Sequence, residues 1–375
     1  MKFECNSQDL QKSIAIVEKA VSNRSSLPIL ENLFVEIKNG FLKLRGNDLE
    51  IGIENIIPIQ NVQQEGTILV KAKTLSSMIS KLENQSVNIE VDDKRTFVLR
   101  GKKVDLDILG SDPNEYPAFP SVEQGSSITL TVEELKDMIR HTIFSVSHDE
   151  TKQFLNGILV KNVQDKLIFV ATDGFRLAKK QMTILPLEKE FSVIVPYKAV
   201  NELYRILQNE SNDTKVVFNI SDNQVAFKMN EFLLISRVIM GQFPDYNQVI
   251  PQVAQSVYTI SRKQLLAGCE RAAVIASLSS NIVRFSFNEN TLTVLANTPG
   301  LGDFKEEIEL VNEKGTEQRK IAFNNRLVLD VIKNTESETI RLSFNNELSP
   351  CKVEEVGNED FIYIIMPIRT SDFQG

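Results

Sequence analysis

The chain has little of what site chemistry usually requires. Its three cysteines, Cys5, Cys269 and Cys351, lie far apart and offer none of the paired spacings that zinc or redox motifs need, so they read as free, buried thiols. Histidine is scarcer still. His141 and His148, on or just beyond one helix, are the only two, too few ligands for a metal site. No run approaches the roughly 18 consecutive apolar residues of a membrane span, and Met1-Lys2-Phe3-Glu4-Cys5-Asn6 holds no apolar signal core, which predicts a cytoplasmic protein with no membrane partner. No phosphate-binding glycine loop, nucleophile elbow or zinc signature appears, and no cofactor is called for. Positive charge is also short: 42 lysines and arginines against 50 acids leave a net charge of −8, which at first sight argues against a nucleic-acid partner. With 42% apolar and 25% charged residues, the chain folds throughout as a soluble globular protein.

What is present is one plan stated three times. A short strand runs into an amphipathic helix at Met1-Lys2-Phe3-Glu4-Cys5 before Leu10, at Ile128-Thr129-Leu130 before Leu135, and at Val257-Tyr258-Thr259-Ile260 before Leu265. Another strand opens on Leu42, Leu167 and Leu292 and ends in a small polar turn, Gly46-Asn47-Asp48, Ala171-Thr172-Asp173 and Ala296-Asn297-Thr298. A third strand, anchored at Val70, Val195 and Phe323, leads to a second helix. The landmarks recur every 125 to 130 residues. Solenoid units, of roughly 20 to 50 residues, are much shorter, whereas this period is the size of a domain that owns its core. Three similar domains are predicted at residues 1–125, 126–252 and 253–375. The joints, Pro113 to Pro120 and Phe243 to Pro251, are proline-bounded stretches that neither helix nor central strand tolerates.

Each domain carries two short helices among many strands, an α+β class. The first spans Ser7 to Val21 with Ser7 as its cap, and Leu10, Ile14, Val17 and Val21 form its apolar stripe. Its partner runs from Lys73 to Leu82. In the second domain Thr131-Val132-Glu133-Glu134 makes a capping box, and a later helix starts at Lys198. In the third, Ser261 caps one helix and another runs from Asn324 to Thr335. Over the six spans there are 13 basic and 8 acidic residues, a sum of +5, which leaves −13 for everything else. Solvation of helix faces alone would also favour lysine and arginine there. Yet Asp9, Glu133 and Glu134 sit in first turns, where they complement the helix dipole, so the remaining helical surface is more basic than the sum. Arg24, Lys73, Lys198 and Arg205 fall at or beside helix ends. The pattern suits a surface that touches phosphate weakly and without reading sequence.

At this point the chain resembles the bacterial DNA polymerase sliding clamps, the beta subunits of the replicative polymerase, over essentially its whole length. The segments that carry the resemblance are Leu27-Pro28-Ile29-Leu30-Glu31-Asn32-Leu33, Phe154-Leu155-Asn156-Gly157, Ala171-Thr172-Asp173-Gly174-Phe175-Arg176-Leu177, Val193-Ile194-Val195-Pro196, Phe243-Pro244-Asp245-Tyr246 and Tyr363-Ile364-Ile365-Met366-Pro367-Ile368-Arg369. It implies three clamp domains, each with two helices backed by antiparallel sheets, forming half of a ring that a head-to-tail homodimer closes around duplex DNA. His148 and Phe154 join Arg24, Lys73, Lys198 and Arg205 as the DNA-facing set. Elementary geometry also asks for two chains. Helices about 9 Å apart and about 10 Å thick leave a hole of only about 7 Å with six of them, but about 24 Å with twelve, enough for a B-form duplex.

Closure would join the first domain of one chain to the third of the other. Lys94, Arg95, Arg100, Lys102 and Lys103 face a complementary run, Asp303, Glu306, Glu307 and Glu309, and Val104, Leu106, Val274 and Ile275 would supply apolar contact. Charged edges also serve simply to prevent aggregation.

The resemblance further implies a groove between the second and third domains that takes short apolar peptides of the polymerase alpha subunit, the clamp loader and other proteins with a clamp-binding motif. Its lining would come from Leu155, from Thr172, Gly174, Phe175, Arg176 and Leu177, and from Pro244 and Val249. The third domain would add Asn324, Leu327, Leu348, Pro350, Ile364, Ile365, Met366, Pro367, Ile368 and Arg369. Branched apolar residues make a groove, and Arg176 and Arg369 hold peptide carbonyls or carboxylates. Read without the resemblance, Tyr363 to Met366 is a buried last strand. This chain departs from the family pattern at Phe175, Gln248 and Leu327 and in the tail Thr370 to Gly375, which bears on ligand preference. An enzyme is the rival class, with Asp48, Asp173 and Asp245 as conceivable acids or metal-binding carboxylates, but Asp48 and Asp173 are repeat-equivalent turn residues expected to bond local backbone. The expected function is a non-catalytic tether whose hold on DNA is topological.

Overall fold

The structure, a computed structural model, describes residues 1–22, 27–59, 61–121, 125–315 and 318–370. The three landmarks recur in it as elements. Strands Lys2–Asn6, Ser126–Thr131 and Ser256–Ser261 run straight into helices α1 (Ser7–Val17), α3 (Val132–Ile143) and α5 (Arg262–Ala276). Strands Gly66–Lys71, Ser192–Pro196 and Arg319–Asn324 run into α2 (Ala72–Ile79), α4 (Tyr197–Leu207) and α6 (Asn325–Asn334). Leu42, Leu167 and Leu292 each sit second in a strand, and all three are fully buried.

Capping decides where the helices start. Thr131 and Glu134 form the expected box: the Thr131 N–H donates to Glu134 Oε2 at 2.7 Å and the Glu134 N–H to Thr131 Oγ1 at 3.1 Å. Ser261 caps α5 as expected. Ser7 does not cap α1. Asn6 does, its side chain accepting from the Gln8 N–H, while the Ser7 hydroxyl is drawn inside the helix to donate to the Glu83 carbonyl and accept from the Gln85 N–H. Helix α1 also gives way early to a 3-10 turn, Glu18–Ala20. There the strand Phe41–Asn47 comes so close that a Cβ on Gly46 would stand 2.5 Å from the Val17 carbonyl oxygen.

The chain forms two compact units, Met1–Leu135 with Asn201–Val238, and Lys136–Val200 with Ile239–Gly375. Sheets explain why neither unit is a single repeat. In the first unit, Ile51–Pro58 of the first repeat pairs antiparallel with Phe232–Arg237 of the second, making one eight-stranded sheet across the boundary. In the second unit, Arg176–Thr183 of the second repeat pairs the same way with Asn358–Ile365 of the third, within a twelve-stranded sheet. Backbone hydrogen bonding therefore runs through both joints, and no sheet edge is left open there. The third repeat has its own core under α5 and α6, where Tyr258 stacks on Phe287 with centroids 4.3 Å apart. Cys5, Cys269 and Cys351 are free and buried, and burial pushes the Cys5 and Cys351 thiols up to about 12. Among the described residues no helix is long and apolar enough to cross a membrane.

Candidate functional site

The joint strands of the second unit, Arg176–Thr183 and Asn358–Ile365, position the candidate site. Leu177 and Ile364 are paired across them, both buried, and join Leu159, Ile168, Val170, Ile194 and Tyr246 in one apolar cluster. Phe243 and Ile250 pack against its edge. Above this floor the turn after Lys166–Thr172 is pinned by its own side chains. Thr172 Oγ1 accepts from the Gly174 N–H at 3.1 Å and donates to the Arg176 carbonyl at 2.5 Å. Asp173 Oδ1 accepts from the N–H groups of Phe175 and Arg176 at 2.9 and 3.0 Å. Gly174 takes φ +93 with open space at its Cβ position. The turn throws Phe175 outward, 69% exposed. Its carbonyl accepts from the Met366 N–H at 2.9 Å, and the Ile368 N–H donates to the Ala322 carbonyl at 2.7 Å, so residues 366–368 are laced along the rim.

Helix α6 closes one side. Arg176 Nε lies 3.0 Å from Asp173 Oδ2 and its Nη1 2.5 Å from Asp330 Oδ2, with the guanidinium over the Phe144 ring. Burial works against its charge, but Tyr363, Asp330 and Asp173 outweigh it and raise its pKa. The Tyr363 hydroxyl donates to the Leu327 carbonyl at 3.0 Å, and burial pushes its pKa far up. Asn324, half-buried, spends its side chain capping α6 on the Arg326 N–H.

The expected lining is thus sorted into layers. Thr172, Leu177, Ile364 and Leu155 are buried and form floor rather than surface. Met366, Pro367, Ile368, Leu327 and Pro350 are half-buried, and Phe175, Pro244, Val249, Leu348 and Arg369 are exposed. Ile365 is a correction. Strand alternation turns it to the opposite face from Ile364, into the third-repeat core with Phe285, Phe323 and Val328. Arg176 spends two of its five donors on carboxylates of the chain itself. Asp330 and Tyr363, which fix α6 to the rim, carry no sequence signal beyond a helical acid and a strand aromatic.

A second buried cluster was also missed. His141, 1% exposed, packs its ring 4.6 Å from Phe361, with Nδ1 3.0 Å from Asp137 Oδ1 and Nε2 3.6 Å from Glu355 Oε1. Lys180 and Arg140 flank Asp137 at 3.0 and 2.9 Å, and Arg140 reaches Glu336 at 2.5 Å. Burial pulls the histidine down, but Asp137 and Glu355 outweigh it and hold its pKa above 6.5. Burial likewise opposes the charge of Glu355, yet His141, the Glu336 N–H and Asn358 bring it down to about 2.

Of the expected DNA-facing residues, Arg24 lies outside the described residues. Lys73 is exposed in the first turn of α2, and Arg205 on α4 pairs with Glu202 at 3.2 Å. His148 and Lys198 are exposed and Phe154 is 37% exposed. The His148 ring stands edge-on to Tyr197 at 4.8 Å, and the Tyr197 N–H donates to the Asn156 carbonyl, which brings residues 148, 154 and 198 to one corner at the start of α4. Part of the helical charge is met within the chain: Arg271 pairs with Glu306 and Lys333 with Glu270.

At the expected closing surfaces, Lys102 and Lys103 are exposed while Val104 and Leu106 are half-buried. Val274 is 67% exposed, and Ile275 packs partly on the core. Glu306 accepts from Arg271 Nε at 2.7 Å and from Arg271 Nη2, and Glu307 pairs with Lys305 at 2.9 Å. Asp48 and Asp245 bond local backbone, as Asp173 does. Among the described residues no group of three or more histidines, cysteines and acids could hold a metal ion.

Comparison with known proteins gives this geometry its context. Descriptions of the DNA polymerase III beta subunit match the chain in three stretches: its N-terminal domain at residues 1–120, its central domain at 129–245 and its C-terminal domain at 247–369. The Beta sliding clamp of Bacillus subtilis is 31% identical over 99% of this chain and 100% of its own length. That of Synechocystis is 31% identical over 98% and 99%. Among solved structures, the DNA polymerase sliding clamp from Bacillus subtilis superposes with a TM-score of 0.94 at 31% identity, covering 99% of each chain. One from Pseudomonas aeruginosa gives 0.93 at 25%, covering 99% of this chain and 100% of that one.

Proposed function

The chain belongs to the DNA polymerase III beta subunit family, the non-catalytic sliding clamps, and from that premise we propose that two copies close head to tail around duplex DNA and tether the replicative polymerase to it. Its three domains are assigned to residues 1–125, 126–252 and 253–375, and the protein to the cytoplasm. Full-length kinship to clamps is the observation that carries the reading. The spacing of helices adds to it, since six would leave a hole of about 7 Å and twelve one of about 24 Å. Exposed Lys73 and Lys198, with Arg24, Arg205, His148 and Phe154, are assigned to the bore, where contact is with phosphate and independent of sequence.

The surface around the joint strands of the second unit is assigned as the partner groove. Leu177 and Ile364 offer an apolar floor, Phe175, Pro244, Val249 and Leu348 exposed walls, and Arg369 an exposed charge at the rim for a peptide carboxylate. The polymerase alpha subunit, the clamp loader and other proteins with a short apolar motif take turns there.

Direct phosphate contact alone would hold DNA weakly, at about 10⁻⁴ to 10⁻⁶ M, and lose it with salt. A closed ring slides without letting go. Retention after loading on nicked circular DNA, compared with the same DNA made linear, is the test: long residence on the circle and rapid loss from the ends is expected. Equal loss from both would remove the reading.

A further inference from the structure

The first unit contains a second copy of the turn that frames the partner groove, and it differs in chemistry rather than in backbone. Asn47 Oδ1 accepts from the Leu49 N–H at 2.8 Å, as Thr172 accepts from Gly174. Asp48 Oδ1 accepts from Glu50 and Ile51 at 2.9 and 2.8 Å, as Asp173 does from Phe175 and Arg176. The Arg237 N–H donates to the Glu50 carbonyl at 3.0 Å, as Met366 donates to Phe175. Phe119-Pro120 lies over this joint in the place of Phe243-Pro244: Gly52 is so closely covered that a Cβ there would stand 3.0 Å from the Phe119 ring.

A pocket opens beside the turn, with Leu49, Ile51, Pro120 and Ile235 as apolar lining and Glu50, Gln224 and Arg237 as polar lining. Where the groove of the second unit presents Phe175 and Met366, this one presents Glu50 and Arg237. Both are exposed, and neither has an ion-pair partner among the described residues. Gln224 is the cross-strand neighbour of Arg237. One further feature points to use. Gly174 takes its positive φ at no cost, but the equivalent position holds Leu49 at φ +75, 40% exposed. A bulky side chain in that conformation is strained, and such residues cluster at ligand clamps. Here the strain places an apolar side chain at the pocket mouth instead of removing it.

We propose that this pocket is a second docking site, taking an extended peptide segment that sets an acidic side chain against Arg237 and Gln224 and an apolar one on Leu49, Ile51 and Pro120. A carboxylate is the complement of the guanidinium beside an amide donor, and the turn geometry is that of the groove assigned above to short apolar peptide motifs. Phe175 and Met366 select apolar residues there; Arg237 selects an acid here.

The test uses the full chain with labelled isoleucine and leucine methyl groups, titrated with acetyl-Val-Glu-Val-amide and, separately, acetyl-Val-Gln-Val-amide. Saturable shifts of the Leu49, Ile51 and Ile235 methyls with the acidic peptide are expected, with affinity about tenfold lower or worse for the glutamine peptide and in Arg237→Gln. Leu49→Gly should raise the melting temperature by relieving the turn and still weaken peptide binding, a pairing that a purely structural leucine would not give. Unchanged Leu177 and Ile364 methyl signals in each variant will show that the second unit is intact. Equal shifts with both peptides, shifts confined to Leu177 and Ile364, or no shifts at all would each overturn the proposal, and none bears on DNA retention by the ring.

Discussion

Arg176 on the second repeat's last joint strand and Asp330 on α6 of the third are held together, guanidinium Nη1 to carboxylate Oδ2, at 2.5 Å. The Arg176 side chain is 11% exposed and that of Asp330 43%, so the pair acts as a brace between the turn at Thr172 and the helix beside it.

Removing the acid should loosen that brace. Asp330→Ala is expected to lower the unfolding free energy by about 1–3 kcal/mol, since Arg176 is left partly buried with Asp173 alone. Partner-peptide affinity should fall with it. Denaturant melts and peptide titration check both, and Asp330→Glu should recover part of each.

Phe175 separates wall from floor. At 69% exposure it contributes little to folding, and Phe175→Ala should stay within about 0.5 kcal/mol of the parent. Peptide affinity should drop several-fold. An unchanged affinity would place the groove elsewhere.

Stability should respond to pH through His141. Its folded pKa is raised above 6.5, so its contribution is complete below the unfolded pKa and fades as pH rises through the folded value. Glu355, brought down to about 2 from 4.5, does the reverse: its share is present above 4.5 and is lost as pH falls toward 2. Asp137, well below the usual carboxylate range through His141, Arg140 and Lys180 against the cost of burial, acts in the same direction. The maximum should therefore lie between about pH 5 and 6.5, with a decline above it of at most about 1.4 kcal/mol per pH unit. His141→Gln should flatten that alkaline limb in chemical denaturation at several pH values.

Charge reversal tests closure of the ring, and the structure says which acids to choose. Glu306 is already held by Arg271, so Glu306→Lys disturbs its own subunit. Glu309→Lys with Glu307→Lys is the cleaner change, because Glu307 and its neighbour Lys305 are 59% and 63% exposed. Sedimentation should show weakened self-association for that variant, restored by mixing with Lys102→Glu, Lys103→Glu chains. A dimer indifferent to the reversal would rule out steering by these residues.

Gly157 carries a packing prediction. It lies in strand Gly157–Val163, and a Cβ there would collide with the Val195 carbonyl oxygen, a backbone atom with no freedom to retreat. Gly157→Ala should cost about 1–3 kcal/mol of stability. Gly174→Ala, with nothing near its Cβ position, should cost only the conformational strain of φ +93, about 1 kcal/mol.

By itself the sequence determined the threefold plan, because each landmark joins a hydrophobic period to a turn or cap that reads only local neighbours: Leu42, Leu167 and Leu292 fall second in matching strands, and Thr131 with Glu134 caps α3 as expected. It also placed Asp173 in a turn that bonds its own backbone, since strand and turn there are contiguous in the chain. Only the tertiary structure decided what is set by distant partners. Asn6 rather than Ser7 caps α1 because Glu83 and Gln85 capture the serine. Ile365 is core because strand pairing places its face against α6, and Arg176 is a brace because Asp330 lies within reach. Alternation tells that successive side chains face opposite ways, but not which neighbour each face will meet; that depends on sheets continuing from one repeat into the next, a relation between residues more than 170 apart in the chain.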